Sequence, residues 1–531
     1  MKTGKRPFLN MIGALFAAML LAGTARAADL YVRAGAEGSG TKEAPSGLLW
    51  KALDKAVRGD VIHVAEGTYN GKGGCGHFMI KVPDLTLVGG YASDFSARDP
   101  FKHPTVLERA KDYAGDWTGL PEGIIASKEG ADAGGLILDG FTLNAQSRNG
   151  YYDDGSINIA KSYPGRALHV SGANVKIRNC VLLNPLGPGI ESPWTGPDNE
   201  VVNTFIVDTF REGLSTRSSQ KGAAVHIRNC TFAFTWFYPT QGGGIPVFVG
   251  REGKTVLENN VIAYTHTEGG SAGYAVSNTF GNDRTALKGN VFFSNPAGYY
   301  KYMDEDKKNL LITKPAELKD LDADPSSYML EKAGGNADAD PGIEPPQSFL
   351  EAFGKAAPPS EETKPRTNYG LAYPVESVTS LASKLPGKGV QLAGPFAEYK
   401  SAAAAEARTY SETDFSSFQK GASGLRSLAG KPVSFKAGMG PKTFTYLLAS
   451  APREKYDCYK LNMPGENEMS IKFIHGYFLK GSAAAKAWER FLKRKTEYAQ
   501  DGLIIKGTAF YAGTDSYNYP AAVLIDAVEV P

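Results

Sequence analysis

The chain has 531 residues, 42% hydrophobic and 21% charged, which allows roughly two to four domains with full cores and excludes a disordered polymer. A formal charge of +2 supplies no field to gather nucleic acid, and 61 glycines favour many turns over long helices. Four cysteines (Cys75, Cys180, Cys230, Cys458) show neither a CxxC pair nor metal-ligand spacing, so no metal module is read from them.

Lys2, Lys5 and Arg6 precede an apolar run that ends at Ala25, Arg26 and Ala27, the layout of a secretory signal peptide over residues 1–27. The run is short for a bilayer span, and no other segment is expected to cross a membrane. A secreted, periplasmic or cell-surface location is the expectation. Loss of Lys2, Lys5, Arg6 and Arg26 takes the formal charge from +2 to about −2, so nucleic acid is not an expected partner.

A short strand from Asp29 is followed by a predicted helix with Ser46 at its N-cap and Leu49, Ala52, Leu53 and Ala56 on one face. The strand VIHVAEGTY comes next. Six copies of one phrase then follow: LILDGFTLN, VKIRNCVLLN, EVVNTFIVD, VHIRNCTFAF, VLENNVIAY and ALKGNVFFS. Anchored on Asp139, Asn179, Asn203, Asn229, Asn259 and Gly289, they recur at intervals of 40, 24, 26, 30 and 30 residues. Such a period predicts a β-solenoid whose rungs stack along one axis. Val175 and Ile177 should face the core and Lys176 and Arg178 the solvent. Asn179 marks a bend, where Asn tolerates left-handed backbone and ladders with its neighbours. Cys180 and Cys230 then lie two rungs apart, roughly 9.6 Å, beyond disulfide reach, and read as buried small hydrophobes.

A second recurring piece, glycine followed by apolar residues, opens another strand of each rung at Gly165, Gly189, Gly213, Gly244 and Gly273. Loops of uneven length precede these glycines, and in repeat proteins such insertions build the binding face. From Pro345 the sequence changes to a connector rich in Pro, Ala, Ser and Lys, placed along the solenoid or between domains. The final hundred residues read as strands (PVSFKA, TFTYLLAS, YDCYKL, SIKFIHGYF), a helix capped by Ser482, and two more strands. That order suggests an OB-type barrel, a fold that binds oligosaccharides or oligonucleotides. The domain reading is 28–346 solenoid, 347–428 linker and packing segment, and 429–531 C-terminal α+β (OB-like) domain.

The phrases DVIHV from Asp60, EGTY from Glu66, LVGGY from Leu87 and ADPGI from Ala339 give the chain a further likeness. Over about residues 28–346 it resembles the right-handed parallel β-helix proteins of the pectin-lyase-like superfamily. The resemblance implies a right-handed parallel β-helix, and with the smaller strand-rich C-terminal domain read above, which contains one helix, the fold class is all-β. It also implies a substrate groove between the glycine-led strands and the loops before them. That groove would present His169, Glu191, Ser215, Arg217, Ser277 and Asn278 from strands, and Arg211, Glu212, Trp236, Tyr238, His266 and Glu268 from loops. Polysaccharide or another glycan is the partner this implies.

Counting nine residues from each anchor gives a column of Arg148, Pro188, Glu212, Tyr238 and Glu268. Glu212 and Glu268 would then stand roughly 9.6 Å apart, room for the water of an inverting glycosidase, with aromatics between them to stack on sugars. A lyase would instead use Arg211 or Arg217 as base or carboxylate clamp, and Glu191, Glu212 or Glu268 as Ca2+ ligands. Asp153 and Asp154 in the first long loop are further Ca2+ candidates set against a surface turn; no cofactor is certain and the metal is unknown. The catalytic candidates are Arg211, Glu212, Arg217 and Glu268; the binding candidates are His169, Glu191, Trp236, Tyr238, His266 and Asn278. The known catalytic phrases of epimerases, polygalacturonases and related lyases are absent. A non-catalytic cell-envelope or surface protein that binds carbohydrate is therefore the alternative to a polysaccharide lyase or glycoside hydrolase.

Overall fold

The computed structural model describes residues 27–113, 123–127, 133–145, 150–151, 157–158, 166–185, 187–236, 244–265, 273–354, 372–401, 410–419, 428–443, 453, 456–464, 473–480, 482–493, 502–511 and 521–530. Three long sheets dominate it. The first has ten strands, among them Lys176–Arg178, Asn199–Val202 and Ala224–Arg228, all paired parallel. The second has nine, among them Val181–Leu183, Phe205–Val207 and Thr231–Ala233, also parallel. The third includes Arg166–His169, Ile190–Glu191, Glu212–Ser215, Ile245–Phe248, Val276–Asn278 and Tyr300–Met303, and ends in the antiparallel strand Asn309–Ile312. Each turn of chain adds one strand to each sheet, and the fold is a right-handed parallel β-helix.

The alternation visible in single phrases sets the core. Val175 and Ile177 are fully buried while Lys176 and Arg178 sit half out. Each buried Ile or Leu contributes about 1.5–3 kcal/mol relative to exposure. On the outer face of the first sheet, Glu200 bridges adjacent rungs, accepting from Arg178 Nε at 2.6 Å and Arg228 Nη2 at 2.9 Å. The four cysteines are buried and free.

Asn179, Asn203, Asn229 and Asn259 occupy the bend between first and second sheets with φ of 50° to 57°, and Gly289 matches them at 61°. The first anchor is corrected by one residue: Arg178 pairs with Asp139, so Gly140, with φ of 84°, holds the bend, and Asp139 ends the strand. Asn179 donates to Asp139 Oδ1 and Asn203 to Asn179 Oδ1, both at 2.8 Å. One residue further on runs an inner ladder. Asn260 Nδ2 donates to Asn290 Oδ1 (2.9 Å) and Asn290 Nδ2 to Asn336 Oδ1 (3.0 Å), and both amides also reach core carbonyls, those of Ile227 and Leu257. These amides satisfy buried polar groups that water cannot reach.

The helix at the open end spans Leu49–Lys55, with Leu49, Ala52, Leu53 and Ala56 buried. Its N-cap is Leu48, not Ser46. Ser46 is instead held by the first strand: its N–H donates to the Tyr31 carbonyl at 2.8 Å and its own carbonyl accepts from Arg33 at 2.9 Å.

Beyond the last rung the chain turns back. The helix Gln347–Gly354 places Phe349 against Phe234 at 4.9 Å, on the apolar outer face of the second sheet. Residues 372–384 lead from Asn184, whose Oδ1 accepts from Tyr373 N at 2.8 Å, forward to the last rung, where Lys384 N donates to the Pro341 carbonyl; residues 388–401 then run antiparallel to the direction of stacking. Lys388 Nζ binds Asn259 Oδ1 (2.9 Å), Val390 donates to Thr231 Oγ1 (3.0 Å), and Gln391 donates to Asn203 Oδ1 (2.6 Å). Tyr399 Oη reaches Asp139 Oδ2 (2.8 Å), and Ser401 closes on Asp29, the first strand, with N and Oγ both at 2.9 Å. This strap covers the bend column and the second sheet.

The strap delivers the C-terminal domain to the N-terminal rungs, where Arg58 bridges Asp84 (2.6 Å) and Asp526 (2.9 Å). The five barrel strands, Pro432–Thr443, Tyr456–Asn462, Phe473–Leu479, Leu503–Tyr511 and Ala521–Glu529, pair in the order 1-2-3-5-4 and close back from the fourth to the first. The third and fifth are parallel, and the helix Ala483–Leu492 lies between third and fourth. That is the connectivity of an OB barrel. Ser482 caps the helix by accepting from Ala485 N at 3.0 Å. PVSFKA continues through Gly438 and Gly440 to Thr443 as one element; the rest of TFTYLLAS lies outside the described residues. Among the described residues no helix is long and apolar enough to cross a membrane.

The inner ladder makes a stability prediction. Asn290→Ala strands buried amide and carbonyl partners and should cost roughly 1–3 kcal/mol in urea unfolding. Asn229→Gly, which keeps the left-handed bend, should cost less than about 1 kcal/mol.

Candidate active site

Leu168, Ile190, Leu214, Val247 and Val276 follow one another in register through the third sheet, and all are fully buried in the core. The residue after each faces the other way, giving a column of His169, Glu191, Ser215, Phe248 and Ser277, with Lys301 on the next rung. Six rungs span roughly 24 Å.

Glu212 enters this face through the turn before its strand. Arg211 adopts a left-handed backbone, φ 75°, fixed by its N–H on the Trp236 carbonyl (2.6 Å) and its carbonyl on Ile245 N (2.8 Å). Gly213 must follow, because a Cβ there would lie 2.6 Å from the Pro246 carbonyl and 2.9 Å from the Phe232 ring. The strand thus packs close on its neighbours and swings the Glu212 side chain into cover, where it is 2% exposed.

Two carboxylates and three guanidiniums meet there. Glu212 Oε1 takes Arg217 Nη2 at 3.0 Å and Arg211 Nε at 3.3 Å. Glu191 Oε2 takes Arg166 through Nη2 at 2.8 Å and Nε at 3.0 Å, while its Oε1 accepts from Ser218 Oγ at 3.2 Å. His169 Nδ1 donates to the Glu191 carbonyl, which leaves the lone pair on Nε2. Arg217 lies over the Phe248 ring at 4.4 Å.

The two carboxyls are driven in opposite directions. Burial raises Glu212 above the usual carboxylate range, and the charge of Glu191 adds to this; Arg211 and Arg217 oppose it without cancelling it. Burial also acts to raise Glu191, but Arg166, Ser218 and Arg217 together outweigh it and hold Glu191 below its ordinary value. One group is biased toward the acid form and the other toward the carboxylate.

Of the sequence candidates, Arg211, Glu212, Arg217, Glu191 and His169 come together. Trp236 is no sugar platform: it is 5% exposed, its ring lies against Phe210 at 5.0 Å, and its carbonyl holds the Arg211 turn. Asn278 is fully buried, donating to the Asn282 carbonyl, Tyr300 Oη and the Met329 carbonyl within 3.1 Å, and serves the core rather than a ligand. Tyr238, His266 and Glu268 lie outside the described residues, as do Asp153 and Asp154. The nine-residue column breaks where the loops lengthen: Glu212 pairs with Ile245, not Tyr238. Arg166 and Ser218 were not singled out by sequence, although Arg166 follows Gly165 in the recurring glycine-led piece.

Among the described residues no three His, Cys, Asp or Glu side chains gather to hold a metal ion. Glu191 and Glu212 are surrounded by guanidiniums, a field that repels a dication, so these residues do not fit the Ca2+ reading. The Arg211 turn gives a test by mutation. Arg211→Gly suits the backbone and should fold with near wild-type stability, whereas Arg211→Val should lose at least about 1–2 kcal/mol in thermal or urea unfolding.

A search of the curated proteins found no match. Among solved structures, a crystal structure of pectate lyase Pel9A is 14% identical, covering 52% of this chain and 68% of its own, with a TM-score of 0.31. A pectin methylesterase in complex with a hexasaccharide is 13% identical over 60% of this chain and 92% of its own, at 0.32. A complex of XylC with xylose is 10% identical over 52% and 70%, at 0.19. Scores this low say nothing of substrate, and the fold rests on the sheets themselves. The family described as "Protein of unknown function (DUF1565)" matches residues 34–310, just over half of the chain and most of the β-helix, and the chain belongs to that family.

Proposed function

We propose that the protein binds a polysaccharide along the third-sheet column and hydrolyses a glycosidic bond there. The observation that carries this is the pair Glu191 and Glu212, close enough to feel each other's charge and shifted apart. Such separation assigns acid and base in glycosidases. Glu212, biased toward its protonated form, donates its proton to the leaving oxygen. Glu191, held ionised by Arg166, serves the opposite face, as base toward water or as nucleophile. Arg211 and Arg217 keep Glu212 from rising beyond use and offer N–H donors to the substrate. β-Elimination with an arginine base fits less well, because Arg211 Nε and Arg217 Nη2 are both directed at Glu212 Oε1. Export by residues 1–27 would place the enzyme in a periplasm or outside the cell.

One observation favours a second reading. Both oxygens of Glu191 and one of Glu212 are already bonded within the chain, as in an ion-pair network that only fixes shape. A non-catalytic carbohydrate-binding surface protein would carry such a network equally well.

The test is a panel of neutral and uronate polysaccharides assayed for new reducing ends and for the absorbance of unsaturated products. Hydrolysis should give reducing ends without unsaturated product. Glu212→Gln should lower turnover by about 100-fold or more. Binding without either product sinks the catalytic reading, and unsaturated product sinks the hydrolytic one. The pH profile follows from the signs. Activity should fall as pH rises through the elevated Glu212 value, since the acid is lost, and fall as pH drops through the depressed Glu191 value. Glu212→Gln should abolish the alkaline limb along with most of the rate.

A further inference from the structure

The charges along the column are unevenly compensated. At its N-terminal half, Arg166 is bound by Glu191, and Arg211 and Arg217 by Glu212. Toward the C-terminal half two further cations follow, Arg251 after the strand Ile245–Phe248 and Lys301 two strands on. Among the described residues no carboxylate pairs with either. Lys301 Nζ is held at 2.7 Å by Tyr274 Oη, a neutral partner, and sits 4.8 Å from that ring's centre. Arg251 lies over the Phe280 ring at 5.2 Å. Phe280 meets Phe248 edge to face at 5.7 Å, and Arg217 covers Phe248.

Aromatic contact fixes a cation without neutralising it. Arg251 and Lys301 are therefore placed by rings, with no carboxylate on either among the described residues, and stand roughly 9.6 Å apart along the axis, two rungs. We infer that the column from Phe248 to Lys301 is a subsite for a sugar unit bearing an anionic group, carboxylate or sulfate. This rests on the reading of the column as a glycan groove. Arg251 offers a planar fork that pairs such groups in bidentate fashion, Lys301 a point charge, and Phe280, half-buried, a ring face for the sugar's C–H side. The chain as a whole is nearly neutral, so the attraction is local and should weaken as salt shortens the screening length.

The test uses the full chain carrying Glu212→Gln, with calorimetric titration of oligosaccharides of equal length in three series: neutral, uronate and sulfated. Either or both charged series should bind at least about 10-fold tighter than the neutral one at low salt, and the preferred series names the anionic group. Arg251→Gln with Lys301→Gln should remove that preference and leave neutral binding in place, while Arg251→Lys should retain most of it. Equal binding of all three series, no binding of either charged series, or a preference that survives the double substitution overturns the inference. Its failure is separable from that of the hydrolase reading. Charged glycan bound more tightly through Arg251 and Lys301 but never cleaved by the unsubstituted protein defeats only the latter; glycan cleaved to new reducing ends by the unsubstituted protein while all three series bind equally defeats only the former.

Discussion

Parallel stacking of rungs is the constraint on which everything else rests. Each strand spends its backbone N–H and C=O groups on the rungs above and below, so a residue's neighbours are fixed by register rather than by sequence distance. Side chains at one position therefore form columns. A column of Asn260, Asn290 and Asn336 can satisfy itself inside the core, and a column of Glu200 with Arg178 and Arg228 can pair charges outside it. The same rule brings Arg166, Glu191 and Ser218, spread over more than fifty residues of sequence, onto one carboxylate.

A stack of this kind has open ends and bare faces, and the rest of the chain serves to cover them. The helix Leu49–Lys55 closes the first end and the helix Pro315–Ala323, with Leu318 and Leu321 buried, closes the last. The apolar outer face of the second sheet is covered by the described residues 347–354 and 372–401, the last of which closes on Asp29, and the barrel meets the N-terminal rungs at Arg58. The first sheet is covered by its own ion pairs. Among the described residues the strap makes its contacts away from the third sheet, which carries buried Glu191 and Glu212.

The β-helix was legible because its signals are short-ranged. Alternation in VKIRNC and the left-handed Asn after it can be read within six residues, and the structure places Val175, Ile177 and Asn179 as that reading requires. The barrel followed from element order alone. The site was legible only in part. Glu212 and Arg217 lie five residues apart and could be grouped by sequence, whereas the pairing of Arg166 with Glu191 depends on register across a rung. Trp236 and Asn278 show the limit most clearly: each sits where a ligand-facing residue was expected, and each is covered, Trp236 by packing on Phe210 in the apolar cluster outside the second sheet and Asn278 by donating its amide to the Asn282 and Met329 carbonyls. Fixed-offset counting failed because the segment after Trp236 is longer in sequence than the two before it, and the register partner of Glu212 is Ile245.

The functional account stands on electrostatics that can be measured without knowing the substrate. Burial and a like charge lift Glu212 against two arginines, while Arg166 and Ser218 hold Glu191 down. The direct measurement is a carboxyl-carbon NMR titration of the wild-type protein, with Glu191→Gln and Glu212→Gln to assign the two signals. The account predicts that Glu212 titrates above the ordinary glutamate range and Glu191 below it. Both groups titrating on the same side, or in the reverse order, would contradict it.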